Sequence, residues 1–196
     1  MATIQRTASV DSFIEKLNTE VGGEEFVAWA QTLKMDNGKS LFDVRKQLSH
    51  DNKKRPEGDG SHLAWTPEAG KDYDSYKAQS KRTATTKRDY EIAAKDFKDY
   101  RKDGGRDPQM LRSLLDKTLK KAEEWSDASV QDATERLNFM VKYEKIFDKD
   151  STKNHIKQAQ DNLRGAKTAR IKARHFQTQL DQLVARLLAE GNPVTP

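Results

Sequence analysis

Apolar residues recur along this chain at spacings of three and four, and no stretch shows a strand alternation of comparable strength. Ser9-Val10-Asp11-Ser12 offers capping oxygens ahead of FIEKLNTEV, which Gly22-Gly23 stops. EEFVAWAQTLKM follows, with Phe26, Trp29, Ala30 and Leu33 on one side and Asn37-Gly38 at its end. Ser40 then caps LFDVRKQLSH, where Leu41, Val44, Arg45 and Leu48 keep helical spacing. Residues 51–70, rich in Pro and Gly with little periodicity, break the pattern and read as a linker.

Beyond the linker the helices lengthen. Within 72–103 the stripe is Tyr90, Ala93, Ala94, Phe97 and Tyr100, and the SKRTATTKR stretch before it is weakly patterned. Gly104-Gly105 stops that helix, and Asp107-Pro108 supplies a cap and a first-turn proline for the next, with Leu111, Leu114, Leu115, Ala122 and Trp125 on its face. Ser126 or Ser129 is expected to open a further helix through Val130, Ala133, Leu137, Met140, Val141 and Phe147. The longest run starts at Asp150-Ser151 and reaches Glu190, with Gly191-Asn192-Pro193 as its stop. Some 40 residues at 1.5 Å each give about 60 Å, and Gly165 is the one weak point inside. The expected fold is all-α: a small helical lobe (1–50), a linker (51–70), and an elongated bundle or antiparallel hairpin (71–196). Its last element is a coiled-coil-like helix.

That last helix carries two distinct surfaces. At 100° per residue Ala159, Ala166, Ala169, Ala173, Phe176, Leu180, Leu183, Val184 and Leu187 form one seam, alanine-rich first and leucine-rich later. The small residues let a neighbouring helix approach closely. Lys153, Lys157, Arg164, Lys167 and Arg174 form a cationic ridge beside the seam, with His175 at its margin, Arg170 between the two and Lys172 apart. Such a ridge is a solvated face, a row of contacts to phosphates or anionic lipid headgroups, or a match for the acidic ridge of a protein partner.

Charge sharpens the second possibility. The chain of 196 residues is 34% charged and 34% hydrophobic, with net charge +5 and mean hydropathy −0.99. The excess is uneven: residues 1–52 carry −2, 71–105 carry +3 and 151–196 carry +5. So polar a chain suits helices with one apolar stripe each rather than a deep core. With no cysteine, thiol nucleophiles, disulfides and thiolate metal sites are excluded. No apolar run approaches a membrane span, and the chain reads as intracellular, cytoplasmic rather than nuclear.

Candidate chemistry is sparse. His50, His62, His155 and His175 form no ligand-spaced pair, and His155 falls on the seam side, as a satisfied half-buried ring would. Glu24-Glu25 and Glu123-Glu124 suit helix faces or first turns, and no glycine-rich phosphate loop or nucleophile elbow appears. No catalytic residue, cofactor or metal is expected. Ser9 in RTAS is either a cap or a phosphorylation site, and Trp65 in the linker either an anchor or a docking element. The expectation is a non-enzymatic interaction or assembly protein that meets a protein partner or a second copy through the seam. The alternative is binding of nucleic acid or an anionic membrane surface through the ridge.

Overall fold

Two prolines that follow a capping residue each open a long helix. Thr66 Oγ1 accepts a hydrogen bond from the Ala69 N–H (3.1 Å) ahead of Pro67, and Asp107 Oδ1 accepts one from the Gln109 N–H (3.0 Å) ahead of Pro108. The computed structural model describes residues 37–53, 66–143 and 149–191, with 28, 31, 32, 34, 35 and 147 besides. Its helices are α1 (Leu41–Lys53), α2 (Pro67–Lys102), α3 (Pro108–Lys142) and α4 (Lys149–Ala189). Among the described residues there is no strand, only an isolated antiparallel bridge from Lys34 to Ser40. The all-α expectation holds.

Two boundaries differ from the sequence reading. Helix replaces both ends of the expected linker, because α1 continues to Lys53 and Pro67 serves as a helix start rather than a breaker. The helix break expected at Ser126 or Ser129 is absent. Both serines are buried inside α3, where Ser129 Oγ donates to the Trp125 carbonyl one turn back (2.8 Å), so a residue that suits a cap sits within the helix. The first expected helix, Ser9, His62 and Trp65 lie outside the described residues.

Packing follows from which faces are small. α3 is the central element, antiparallel to α2 before it and α4 after it. Its longest contact is with α4. There Ala159, Ala166, Ala169 and Ala173 face Ala122, Ser126, Ser129 and Ala133, all buried. Two apolar clusters result. One joins Leu41, Val44 and Leu48 of α1 to Leu137, Met140, Ile156 and Leu163. The other joins Tyr90, Phe97, Leu115, Trp125, Phe176 and Leu183, with the Phe97 and Phe176 rings edge-to-face at 5.9 Å. The apolar face of α1 therefore belongs to the bundle's own core.

The expected interaction seam is corrected on the same grounds. Ala159, Ala166, Ala173, Phe176, Leu183 and Leu187 are buried within this chain, and Leu180 is partly buried against the second cluster. With α2 at 36 residues and α3 at 35, the neighbours are nearly as long as the 41-residue α4. No helix among the described residues is long and apolar enough to cross a membrane.

Candidate polyanion-binding groove

The five ridge residues do not share one surface. Lys153, Lys157, Arg164 and Arg174 are exposed, whereas Lys167 is buried at 4% exposure. Lys167 lies one turn beyond Leu163, on the flank of α4 whose Ile156 and Leu163 pack in the same cluster as α1. Helical angle alone sets Lys167 on the ridge beside the seam, and packing on that flank removes it from solvent. By helical register Arg174 falls on that α1 flank too, Arg164 lies near enough to Arg45 of α1 for their charges to repel, and Lys157 turns partway toward the opposite flank.

That opposite flank borders a groove of about 400 Å3, walled by α2 and α4 and floored by α3. Ser80, Thr83 and Lys87 come from α2, Trp125 and Ser129 from α3, and Asp161 and Gly165 from α4. Its lining carries Lys87 and the buried Arg136 beside Asp132 and Asp161, and further cations stand on the outer faces of the two wall helices. On α2, Lys77, Lys81, Arg82, Lys87 and Arg88 are exposed, and no Asp or Glu occurs between Asp74 and Asp89. Register puts Lys77, Lys81 and Arg88 on the outer side of the wall that Ser80 and Ala84 form, and Arg82 on the far side. On α4, Lys153, Lys157, Arg164, Arg170, Lys172 and Arg174 are exposed, and between Lys153 and His175 Asp161 is the one carboxylate. Asp161 accepts from Arg164 Nη1 at 3.2 Å. Lys172 falls on the same side of α4 as Gly165, so it extends the cationic wall toward the second half of the helix.

Below one end of the groove, buried polar groups tie the three long helices together. Arg136 of α3 is 6% exposed and donates to Gln158 Oε1 (2.6 Å) on α4 and Ser80 Oγ (2.9 Å) on α2. Ser80 donates in turn to Asp132 Oδ1 (2.8 Å), itself 3.6 Å from the Arg136 guanidinium and 3% exposed. His155 Nδ1 lies 3.2 Å from Arg136 Nη1. A guanidinium can only donate, so Nδ1 accepts and the ring is neutral. Burial, and then the Arg136 charge, lower the His155 pKa from 6.5 to about 4. Nearby, Gln79 Nε2 and Thr83 Oγ1 both donate to the Ala128 carbonyl, each at 3.0 Å. These bonds across three helices fix their register, and the Arg136 Nε stays buried without a hydrogen-bond partner.

The sequence reading missed the α2 wall. Its signal was present, as a cationic run from Lys77 to Arg88 without a carboxylate, in the segment that carries +3. The run lacks an apolar stripe, so a reading led by hydrophobic periodicity passed over it. His50 stands beside Asp51 (3.3 Å) and His175 beside Gln179 (2.6 Å), both exposed. Among the described residues no three His, Asp or Glu side chains gather where they could hold a metal ion. No family model, curated protein or solved structure matches this chain.

Proposed function

We propose that this protein is a non-catalytic helical binding protein whose ligand is the phosphate backbone of a nucleic acid, taken along the groove between α2 and α4. The supporting observation is that both strongly basic segments of the chain border the same groove. Within the spans 75–88 and 153–175 the two helices expose eleven cations and a single carboxylate; Lys87 lines the groove, and Lys77, Lys81, Arg88, Lys157 and Lys172 flank it by register. Two cationic walls about a groove concentrate positive potential where a linear polyanion can lie, and neutralising its phosphates releases counterions. Among the cations that flank the groove lysines outnumber arginines (Lys77, Lys81, Lys87, Lys157 and Lys172 against Arg88), which suits sequence-independent contacts to phosphate rather than the forked reading of base edges.

The test is fluorescence anisotropy with labelled single-stranded RNA and duplex DNA across a salt series, beside co-sedimentation with anionic vesicles. The variant Lys81→Gln/Lys87→Gln/Lys157→Gln/Lys172→Gln removes two charges from each wall. Binding of the unaltered protein should fall steeply with salt. The variant should lower the log–log salt slope by about 0.7 to 0.9 per lost contact, roughly three units in all. Lack of nucleic-acid binding at low salt, or a variant that binds as tightly as the parent, would refute the proposal. Binding confined to vesicles would move the ligand to a lipid surface.

A further inference from the structure

At the far end of the bundle the α2–α3 turn meets the last third of α4, and a second groove of about 840 Å3 opens between them. Arg101 at the end of α2, Arg106 in the turn and Arg186 on α4 line it, with the amides of Gln179 and Gln182 and no carboxylate. Two other grooves among the described residues mix their charges: Asp132 and Asp161 accompany Lys87 and Arg136 in the one above, and Asp72 and Glu135 accompany Lys142 in a third. The distal groove is also apolar beneath its arginines. Phe97, Leu115 and Leu183 are buried in its wall, and Leu111 is partly buried beside them.

The turn that carries Arg106 is anchored before any ligand arrives. Gly104 adopts φ 84°, its N–H donates to the Arg101 carbonyl (3.2 Å), and the Gly105 N–H donates to the Tyr100 carbonyl (2.9 Å). Those two bonds are the paired closure of a helix C-terminus that a left-handed glycine permits. The Tyr100 ring lies against Gly105 so closely that a Cβ there would collide with it, and Tyr100 Oη accepts from the Asp107 N–H (3.2 Å). Arg106 thus sits between two tethered residues, which lessens the ordering cost of binding. The Arg101 guanidinium stands 5.7 Å over the Phe97 ring. Among the described residues Arg186 pairs with Glu190 of its own helix, at 4.0 Å and in solvent, where such a pair contributes little.

We propose that the distal groove binds an anionic amphiphile in monomeric form, a phosphate or carboxylate head on a single apolar chain. Arg106 and Arg186 take the head, because a planar guanidinium donates two parallel hydrogen bonds to either group. The chain lies along Phe97, Leu111, Leu115 and Leu183, where a nucleic acid has no matching apolar body. This site is independent of the α2–α4 groove.

Isothermal calorimetry tests it, with dodecyl phosphate below its aggregation concentration as the probe. Inorganic phosphate and a neutral dodecyl glycoside serve as half-ligands, and anionic phospholipid vesicles as the membrane arm. The expected result is saturable one-to-one binding of dodecyl phosphate, at least tenfold tighter than either half-ligand. Arg106→Gln/Arg186→Gln should weaken it at least tenfold at an unchanged thermal midpoint, while the four-lysine groove variant binds it as the parent does. Absence of saturable binding, equal affinity for a half-ligand, an unaffected arginine variant, or binding to vesicles alone would overturn the proposal.

Discussion

His155 shows how much one position depends on partners that sequence cannot place. Its spacing on the seam side foretold a half-buried ring, and the ring is half-buried. What the spacing could not supply was Arg136, which comes from the preceding helix and holds Nδ1 as an acceptor at 3.2 Å. Around the imidazole stand the Tyr76 ring at 6.0 Å and the Phe147 ring at 5.2 Å, which help to exclude water, and the Arg136 guanidinium, which repels a second positive charge. With its pKa lowered from 6.5 to about 4, the folded protein binds this proton less readily than the unfolded chain. Its contribution is therefore present above pH 6.5, lost as pH falls, and fully lost below about 4. His155→Gln keeps an acceptor for Arg136 but cannot titrate. Urea unfolding at pH 7 and pH 4.5 should show the parent losing stability relative to His155→Gln, on the order of 2 kcal/mol. Parallel pH profiles for the two proteins would count against the neutral, acceptor histidine.

At the scale of elements, the strongest sequence signals were the helix ends, because a cap is a local arrangement complete within a few residues. Ser40, Asp107 and the glycines at 104 and 191 each end or begin a helix where expected: Ser40 Oγ accepts from the Asp43 N–H, and both glycines take positive φ. Serines 126 and 129 misled for the same local reason. Whether serine caps a helix or lies within it depends on close packing against α4, which no short window contains. Gly165 illustrates the intermediate case. A Cβ there would lie 3.7 Å from Ser129 Oγ and 3.9 Å from Trp125, ordinary contact distances in the α3–α4 interface. Gly165→Ala should therefore gain most of the intrinsic difference in helix propensity, about 1 kcal/mol, and raise the thermal midpoint. A lowered midpoint would mean that the two helices approach more closely than these distances imply.

For the whole molecule, the seam was legible as a surface but its partner was not. Threes and fours of Ala and Leu are the same whether the covering helix belongs to this chain or to another, so the choice depends on the lengths of α2 and α3. Those lengths were obscured by Pro67 at one end of α2 and by Ser126 and Ser129 within α3. Covered by its own chain, the seam makes a prediction opposite to the one its pattern first suggested. Leu183 is 7% exposed, in contact with the aromatic cluster about Phe97 and Phe176. Leu183→Asp removes a buried side chain and inserts a carboxylate without a designed partner, so the loss should reach at least the 2 to 5 kcal/mol typical of Leu→Ala in a core. Sedimentation velocity over a hundredfold concentration range should show the parent protein free as a monomer, and urea titration should show the variant's midpoint shifted well down. If the seam were instead a contact between copies, the parent would dissociate on dilution. Leu183→Asp would then yield a folded monomer of undiminished helicity, so circular dichroism and sedimentation on the same samples decide between a core and an interface.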